Sequence, residues 1–239
     1  MTDIRDNLSS LVKLDRSEKQ KHACAILESL IESGGVKALL RQFRDEVSRA
    51  KQHEYHSDSY THDNGFDKIV LSQIPESKIK LRLHIWYPVL GGYKRTPQNI
   101  HNHRWDFSSA ILLGEVSNVQ FDFADEGEVY QHYRYFARGS KEHYDLRHIG
   151  VARLRELRMD KKVAGQVYST SGEKLHRVDI PDGLHAATLV LTHENMNWFE
   201  NDLLSKRLLS ADDNVRVVAP ALTPKQILQK IDSLLSLLG

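Results

Sequence analysis

The stretch NIHNHRWDFSSAILLGEV, residues 99–116, decides how the chain is read. His101 and His103 stand two positions apart, ahead of an apolar run that stops at Gly114. In a strand, residues i and i+2 project from one face. The spacing therefore predicts two imidazoles on one side of a strand, with Asn102 turned away. Neutral imidazole nitrogen is a good ligand for Fe, Zn, Cu or Ni. The plainer alternative is a polar pair on a strand edge.

A third ligand has to come from a distant segment. GEKLHRVDIPDGLHAATLVL, residues 172–191, offers His176 and His185. His176 precedes a PDG turn and an apolar strand, whereas His185 stands where that return strand begins. Asp106 is a further candidate if the first strand turns sharply, with support of a ligand imidazole as its other role. Three neutral imidazoles leave an ion with open positions for substrate and O₂, or for water.

Outward from these histidines, residues 66–200 break into short segments rich in β-branched and aromatic residues: DKIVLSQ, KIKLRLHIWYPV, HYRYFA, GQVYSTS, HRVDI and ATLVLTHE. Turn residues separate them, which predicts a mainly β fold, an antiparallel sandwich or barrel. RHIGVARLRELRMDKK, residues 147–162, reads as irregular or helical instead. Glu115, after Gly114, marks a turn between two strands. Alternation in IKLRLHIW puts Arg82, His84 and Trp86 on one face and Leu81, Leu83 and Ile85 on the other. If the first face lines the interior, Arg82 and His84 bind an anionic substrate group, because guanidinium grips carboxylate in two places. Tyr133 and Tyr135 also share a face, where packing in the core or on the sheet surface is the first expectation and proton donation by a phenol near a metal the alternative.

Helices flank this region. Ala23, Ile26, Leu27, Leu30 and Ile31 form one stripe at helical spacing, and Val36, Leu39, Leu40, Phe43 and Val47 form another. Near the C-terminus, Thr223 is an N-cap and Pro224 the first helical residue, followed by a stripe of Ile227, Ile231, Leu234, Leu235 and Leu238. That stripe needs cover from the barrel or from a second subunit, a homodimer. The expected organisation is an N-terminal helical extension over residues 1–60, the β-barrel over 61–205, and a C-terminal segment with its helix over 206–239.

The net charge of +1 gives no electrostatic case for nucleic acid or an anionic membrane. No apolar run approaches the ~20 residues that span a bilayer, and MTDIRDNLSS lacks the apolar core of a signal peptide. A single cysteine, Cys24, falls among apolar helix positions, where an inert thiol and a reducing cytoplasm are expected. His53, His56 and His62 lie in a turn-rich connector that reads as an exposed loop. No nucleophile elbow, phosphate loop or dinucleotide fingerprint is present. A metal is the chemistry on offer.

The order of features resembles the cupin superfamily: an H-x-H strand, a glycine further on, then a single histidine before a turn and an apolar strand. The usual cupin glutamate, seven residues after the first histidine, falls at Ser108. IHNH at 100–103 and LHRV at 175–178 are similar to the cysteine dioxygenase branch, which keeps three histidines and no carboxylate. The resemblance covers residues 66–200 and implies a cupin-type barrel with metal ligands His101, His103 and His176, with Fe(II) first and Zn, Mn, Ni or Cu as alternatives. It also implies O₂ and a small chelating substrate such as an amino acid or thiol derivative.

The departures bear on the substrate. The cysteine that such enzymes cross-link to a tyrosine is replaced by Ser108, so no thioether can form. The positions of the tyrosine and second histidine on the return strand hold Thr192 and Val190, and the carboxylate-binding arginine corresponds to Lys68. Arg82, His84, Lys68 and Tyr135 are thus the expected catalytic and substrate-binding residues. A non-oxidative isomerase, lyase or hydrolase on the same cage, and a non-catalytic binding barrel, are the competing expectations.

Overall fold

The structure is a computed structural model that describes residues 4–50, 58–62, 64–75, 77, 79–88, 98–137, 143–195, 200–209, 214–218 and 221–239. Three helices come first: α1 (Ile4–Ser10), α2 (Arg16–Glu32) and α3 (Gly35–Arg49). Twelve strands follow among the described residues: β1 (Tyr60–His62), β2 (Phe66–Gln73), β3 (Lys80–Trp86), β4 (Ile100–His101), β5 (Trp105–Leu113), β6 (Glu115–Ala137), β7 (His143–Val163), β8 (Val167–Thr170), β9 (Leu175–Asp179), β10 (Ala186–Asn195), β11 (Glu200–Ser205) and β12 (Asn214–Val218). Helix α4 (Pro224–Leu237) closes the chain.

The strands form two six-stranded antiparallel sheets, ordered β1-β2-β3-β10-β5-β8 and β11-β4-β9-β6-β7-β12. The expected mainly β, antiparallel architecture with helices at both ends is therefore found. The helices lie on the outer face of the first sheet. Their stripes (Ala23, Ile26 and Leu27 on α2; Val36, Leu39, Leu40, Phe43 and Val47 on α3; Ile227, Ile231 and Leu234 on α4) share one core with Ile69, Leu81, Leu83, Ile85, Ala187, Leu189 and Leu191. The stripe of α4 is thus covered within the chain itself, against α3 and the sheet.

Local signals explain the element ends. Asp15 accepts a hydrogen bond from the Glu18 N–H, and Glu18 accepts one from the Asp15 N–H, a reciprocal cap that starts α2. Thr223 and Gln226 do the same for α4, with Pro224 at its first turn. Gly114 turns the chain between β5 and β6 with φ +71°, and a Cβ there would sit 2.2 Å from the His185 carbonyl oxygen. The turn read at Glu115 is therefore real, and glycine is required beside it.

One expectation is corrected. Residues 147–162 belong to β7 and are neither irregular nor helical. Leu154 and Leu157 at helical spacing, among good helix formers, imitate a helix. Antiparallel pairing with β6 over almost the whole strand overrides that local preference.

Candidate metal centre and cavity

A cavity of about 160 Å³ lies between the two sheets. Its walls include Lys68, Arg82, His84, Trp86, Trp105 and Phe107 from the first sheet, with His101, His176 and Tyr135 from the second. The split predicted for β3 holds. Arg82, His84 and Trp86 face the cavity, while Leu81, Leu83 and Ile85 are buried under the helices.

His101, His103 and His176 converge on one point, their ligand atoms all within 4.8 Å of one another. His101 lies on β4 and pairs directly with His176 on β9. His103 is not on a strand. It stands in the short link to β5, where its backbone N–H donates to the Gly172 carbonyl at 2.8 Å. Gly172 must be glycine, because a Cβ would come within 2.6 Å of the Trp105 carbonyl and 2.8 Å of the His103 carbonyl. His185 is elsewhere, in a small pocket with Tyr87, Ala186 and Lys230.

Hydrogen bonds aim the rings. The His101 Nδ1–H donates to the Asn99 carbonyl at 2.9 Å, and the His176 Nδ1–H donates to Asn118 Oδ1 at 2.8 Å. Because both acceptors are oxygens, each proton is fixed on Nδ1, leaving Nε2 with a lone pair. The Nε2 atoms of His103 and His176 are 2.9 Å apart. Two nitrogens that share an ion at ~2.1 Å in neighbouring positions at right angles have nearly that separation. Burial holds the His103 and His176 imidazoles well below their ordinary pKa, and the neighbouring histidines add to the shift. Both are therefore neutral, the form that ligates. The trio could hold a metal ion.

The fourth side is apolar. Phe107 faces the trio, its ring centre 5.4 Å from that of His103 and 5.6 Å from that of His176. Ser108, read as the cupin carboxylate position, points the other way, to Cys24, Ser169 and His193 beneath α2. The reason is parity: Trp105, Phe107 and Ser109 keep the odd-numbered face begun at His101 and His103, and all line the cavity. Cys24 is correspondingly half-buried, with its Sγ 3.0 Å from the Ser169 hydroxyl rather than wholly among apolar groups.

Asp106 is not among the converging groups. Its carboxylate takes Arg16 Nε at 2.7 Å and Nη2 at 3.1 Å, and accepts the Gly172 N–H at 2.7 Å. It thereby braces the backbone that carries His103. Burial pushes the Asp106 carboxyl up, and the Arg16 guanidinium with the Gly172 N–H more than offsets this, so its pKa is lowered overall. A depressed carboxylate stabilises the fold above its unfolded pKa of about 3.9, and the gain is lost as pH falls through the folded value. Arg16→Ala is accordingly expected to lower the melting temperature at pH 7, with the gap to the unaltered protein closing below about pH 4. Thermal melts of both proteins across pH 3–8 check this. Arg16 is about half exposed, which keeps the effect modest.

Asn118 was missed in the sequence, where it is one polar residue in a strand that looks ordinary. Its side chain is buried and fixes the His176 tautomer. Outer partners of ligating histidines are worth about 10–100-fold in metal affinity. Asn118→Ala is expected to weaken metal binding by that factor without unfolding the protein, as measured by competition with a chromophoric chelator.

The remaining candidates are dispersed. Lys68 and Tyr135 line the cavity, with Lys68 Nζ donating to the Tyr60 hydroxyl at 2.5 Å. Tyr133 is fully buried, and its hydroxyl accepts the Leu209 N–H at 2.9 Å. His132 pairs with Asp202 at 2.7 Å and His148 with Gln131 at 2.9 Å. Val190 lines the cavity, and the Thr192 hydroxyl accepts the Lys80 N–H. His53 and His56 lie outside the described residues, whereas His62 stacks on Phe66 in the cavity wall.

No protein-family model and no curated protein matches the sequence. Solved structures do match at low identity. An oxalate oxidase is 11% identical, with a TM-score of 0.36 and 81% of each chain covered. A cupin superfamily protein from Desulfitobacterium hafniense DCB-2 is 12% identical, with a TM-score of 0.30, 56% of this chain and 82% of that one. The Drosophila melanogaster CENP-C cupin domain is 11% identical, with a TM-score of 0.34, 67% of this chain and 96% of that one. Cupins stand among the neighbours. At such distances the functional reading rests on the cavity itself. Among the described residues, no helix is long and apolar enough to cross a membrane.

Proposed function

We propose that the protein is a mononuclear non-haem oxygenase of dioxygenase type, acting on a small polar substrate that chelates its ion. The observation that carries this reading is the convergence of His101, His103 and His176 opposite the wall that bears Arg82 and Lys68, with no carboxylate in the converging group among the described residues. Fe(II) is the proposed ion, in keeping with the resemblance of IHNH and LHRV to three-histidine thiol dioxygenases. A redox-active ion supplies the one-electron steps with O₂ that closed-shell side chains cannot perform.

The chain's own residues bind, orient and dry the substrate. Arg82 takes a carboxylate or similar group, held in place by its guanidinium lying over the Trp105 ring at 4.8 Å. His84, whose pKa burial lowers well below the ordinary value, stays neutral and offers a hydrogen bond. Phe107 dries the end at the histidines, and Phe66, Trp86 and Val178 exclude water from the rest of the cavity. Tyr135 stands on the wall of the second sheet as the proton donor of the scheme.

The test is oxygen consumption by anaerobically purified, Fe(II)-loaded protein offered amino acids, thiols and their derivatives, with product analysis under air and under argon. Oxygen uptake matched to product supports the proposal. Turnover that persists under argon, or that Zn, Mn or Ni sustains equally, means an isomerase, lyase or hydrolase on the same cage. Binding without turnover under either gas means a binding barrel.

A further inference from the structure

We propose that the inner wall formed by β2 and β3 is a subsite for a doubly charged oxyanion, a phosphate ester or a pair of carboxylates, carried by the substrate at the end away from the histidines. The chelating end rests on the reading above, whereas the anion subsite stands on its own observations.

The first observation is charge. Lys68 pairs with His84 across β2 and β3, and Arg82 is two residues along on the same face, so a lysine and an arginine share one wall. Among the described lining residues the acid is Asp202. It lies on the second sheet and is held by His132 and Asn102. The nearby Asp58 carboxylate forms an ion pair with Lys80 at 2.8 Å. With Lys68 protonated in the complex the wall offers two cations, Lys68 and Arg82, and a single carboxylate would balance only half of that charge.

The second observation is unspent hydrogen-bonding capacity. Among the described residues, Arg82 Nε, His84 Nε2, Trp86 Nε1 and Gln98 Nε2 are buried with no hydrogen-bond partner, and all four residues line this cavity. Ser109 Oγ and Asn201 Oδ1, also on the cavity wall, share that condition. Buried polar atoms are ordinarily satisfied, so such a set, four donor nitrogens among six atoms, marks a ligand's place. The four nitrogens can all donate, and a phosphate or dicarboxylate supplies only acceptors at its charged end. Burial lowers the proton affinity of Lys68 strongly, and Arg82 adds to this. An incoming dianion offsets the Arg82 repulsion and favours the protonated lysine.

Geometry gives the substrate its shape. Facing sheets pack about 10 Å apart, with the anion wall on one and His101 and His176 on the other. A substrate that reaches both is bifunctional, chelating at one end and dianionic at the other.

The experiment uses metal-stripped full-length protein titrated calorimetrically with inorganic phosphate, malonate and acetate at fixed ionic strength. Saturable binding of phosphate or malonate at least about tenfold tighter than acetate is expected, and the stronger of the two identifies the head group. Arg82→Gln and Lys68→Met are each expected to weaken it by roughly tenfold or more. Their melting temperatures without anion are expected to hold or rise, because a buried basic group that is costly to desolvate has gone. Arg82→Lys, which keeps the charge, is expected to retain part of the binding. His176→Ala is expected to leave anion binding intact, so a wrong metal assignment does not disturb this result. Equal affinity for acetate, absence of saturable binding, or binding unchanged in both Arg82→Gln and Lys68→Met would overturn the proposal.

Discussion

Alanine at position 176 is expected to strip the protein of its metal. His176 is 2% exposed, its Nδ1 proton is committed to Asn118, and its Nε2 lies 2.9 Å from that of His103. Its ring also packs against Phe107 and His101. Removing it deletes one of three converging nitrogens, with no carboxylate of Asp106 or ring of His185 placed to substitute. The loss in affinity is expected to exceed the ~10–100-fold typical of removing an outer partner. Elemental analysis of the purified variant is the direct measurement, and on the oxygenase reading proposed above oxygen uptake should fall with it. His176→Gln, closer in volume, guards against a packing artefact. A near-stoichiometric ion in both variants would show that the three histidines are not the cage.

The second large effect is on stability. Leu83→Ala is expected to cost about 2–5 kcal/mol, a fall in melting temperature of roughly 5–15 °C. Leu83 is fully buried and stands in register with Ile69 on one side and Leu189 on the other, in the layer where three helices meet the first sheet. The cavity left by truncation is walled by strands on both sides and helices above, so it collapses poorly. A urea titration should show a lower midpoint with an unchanged slope. The functional consequence follows from the same strand, because Arg82 and His84 flank Leu83 on the cavity side. Loosening this layer loosens the anion wall, so ligand affinity should drop along with stability.

The Arg16–Asp106 pair couples the helical layer to the centre more locally. Arg16 begins α2, Asp106 is on β5, and the Gly172 backbone joins Asp106 to His103. The helices are therefore part of the device that sets His103, since the link carrying it makes no strand pairing of its own.

Much of this was present in the sequence. The stripes of α2, α3 and α4 follow from the 3.6-residue period and the caps at Asp15 and Thr223. Alternation sorted β3 into an inner polar face and an outer apolar one, the two-residue spacing paired His101 with His103, and the resemblance of LHRV implied His176 over His185. The tertiary structure decided other matters. It made a strand of residues 143–163, placed Phe107 rather than Ser108 before the histidines, gave Asp106 to Arg16, and supplied Asn118 as the partner of His176. Period and parity are properties of the backbone within one segment, so they are written locally and can be read locally. Which strand pairs with which, and what lies across a cavity, depends on residues tens of positions apart whose contacts exist only after the sheets close.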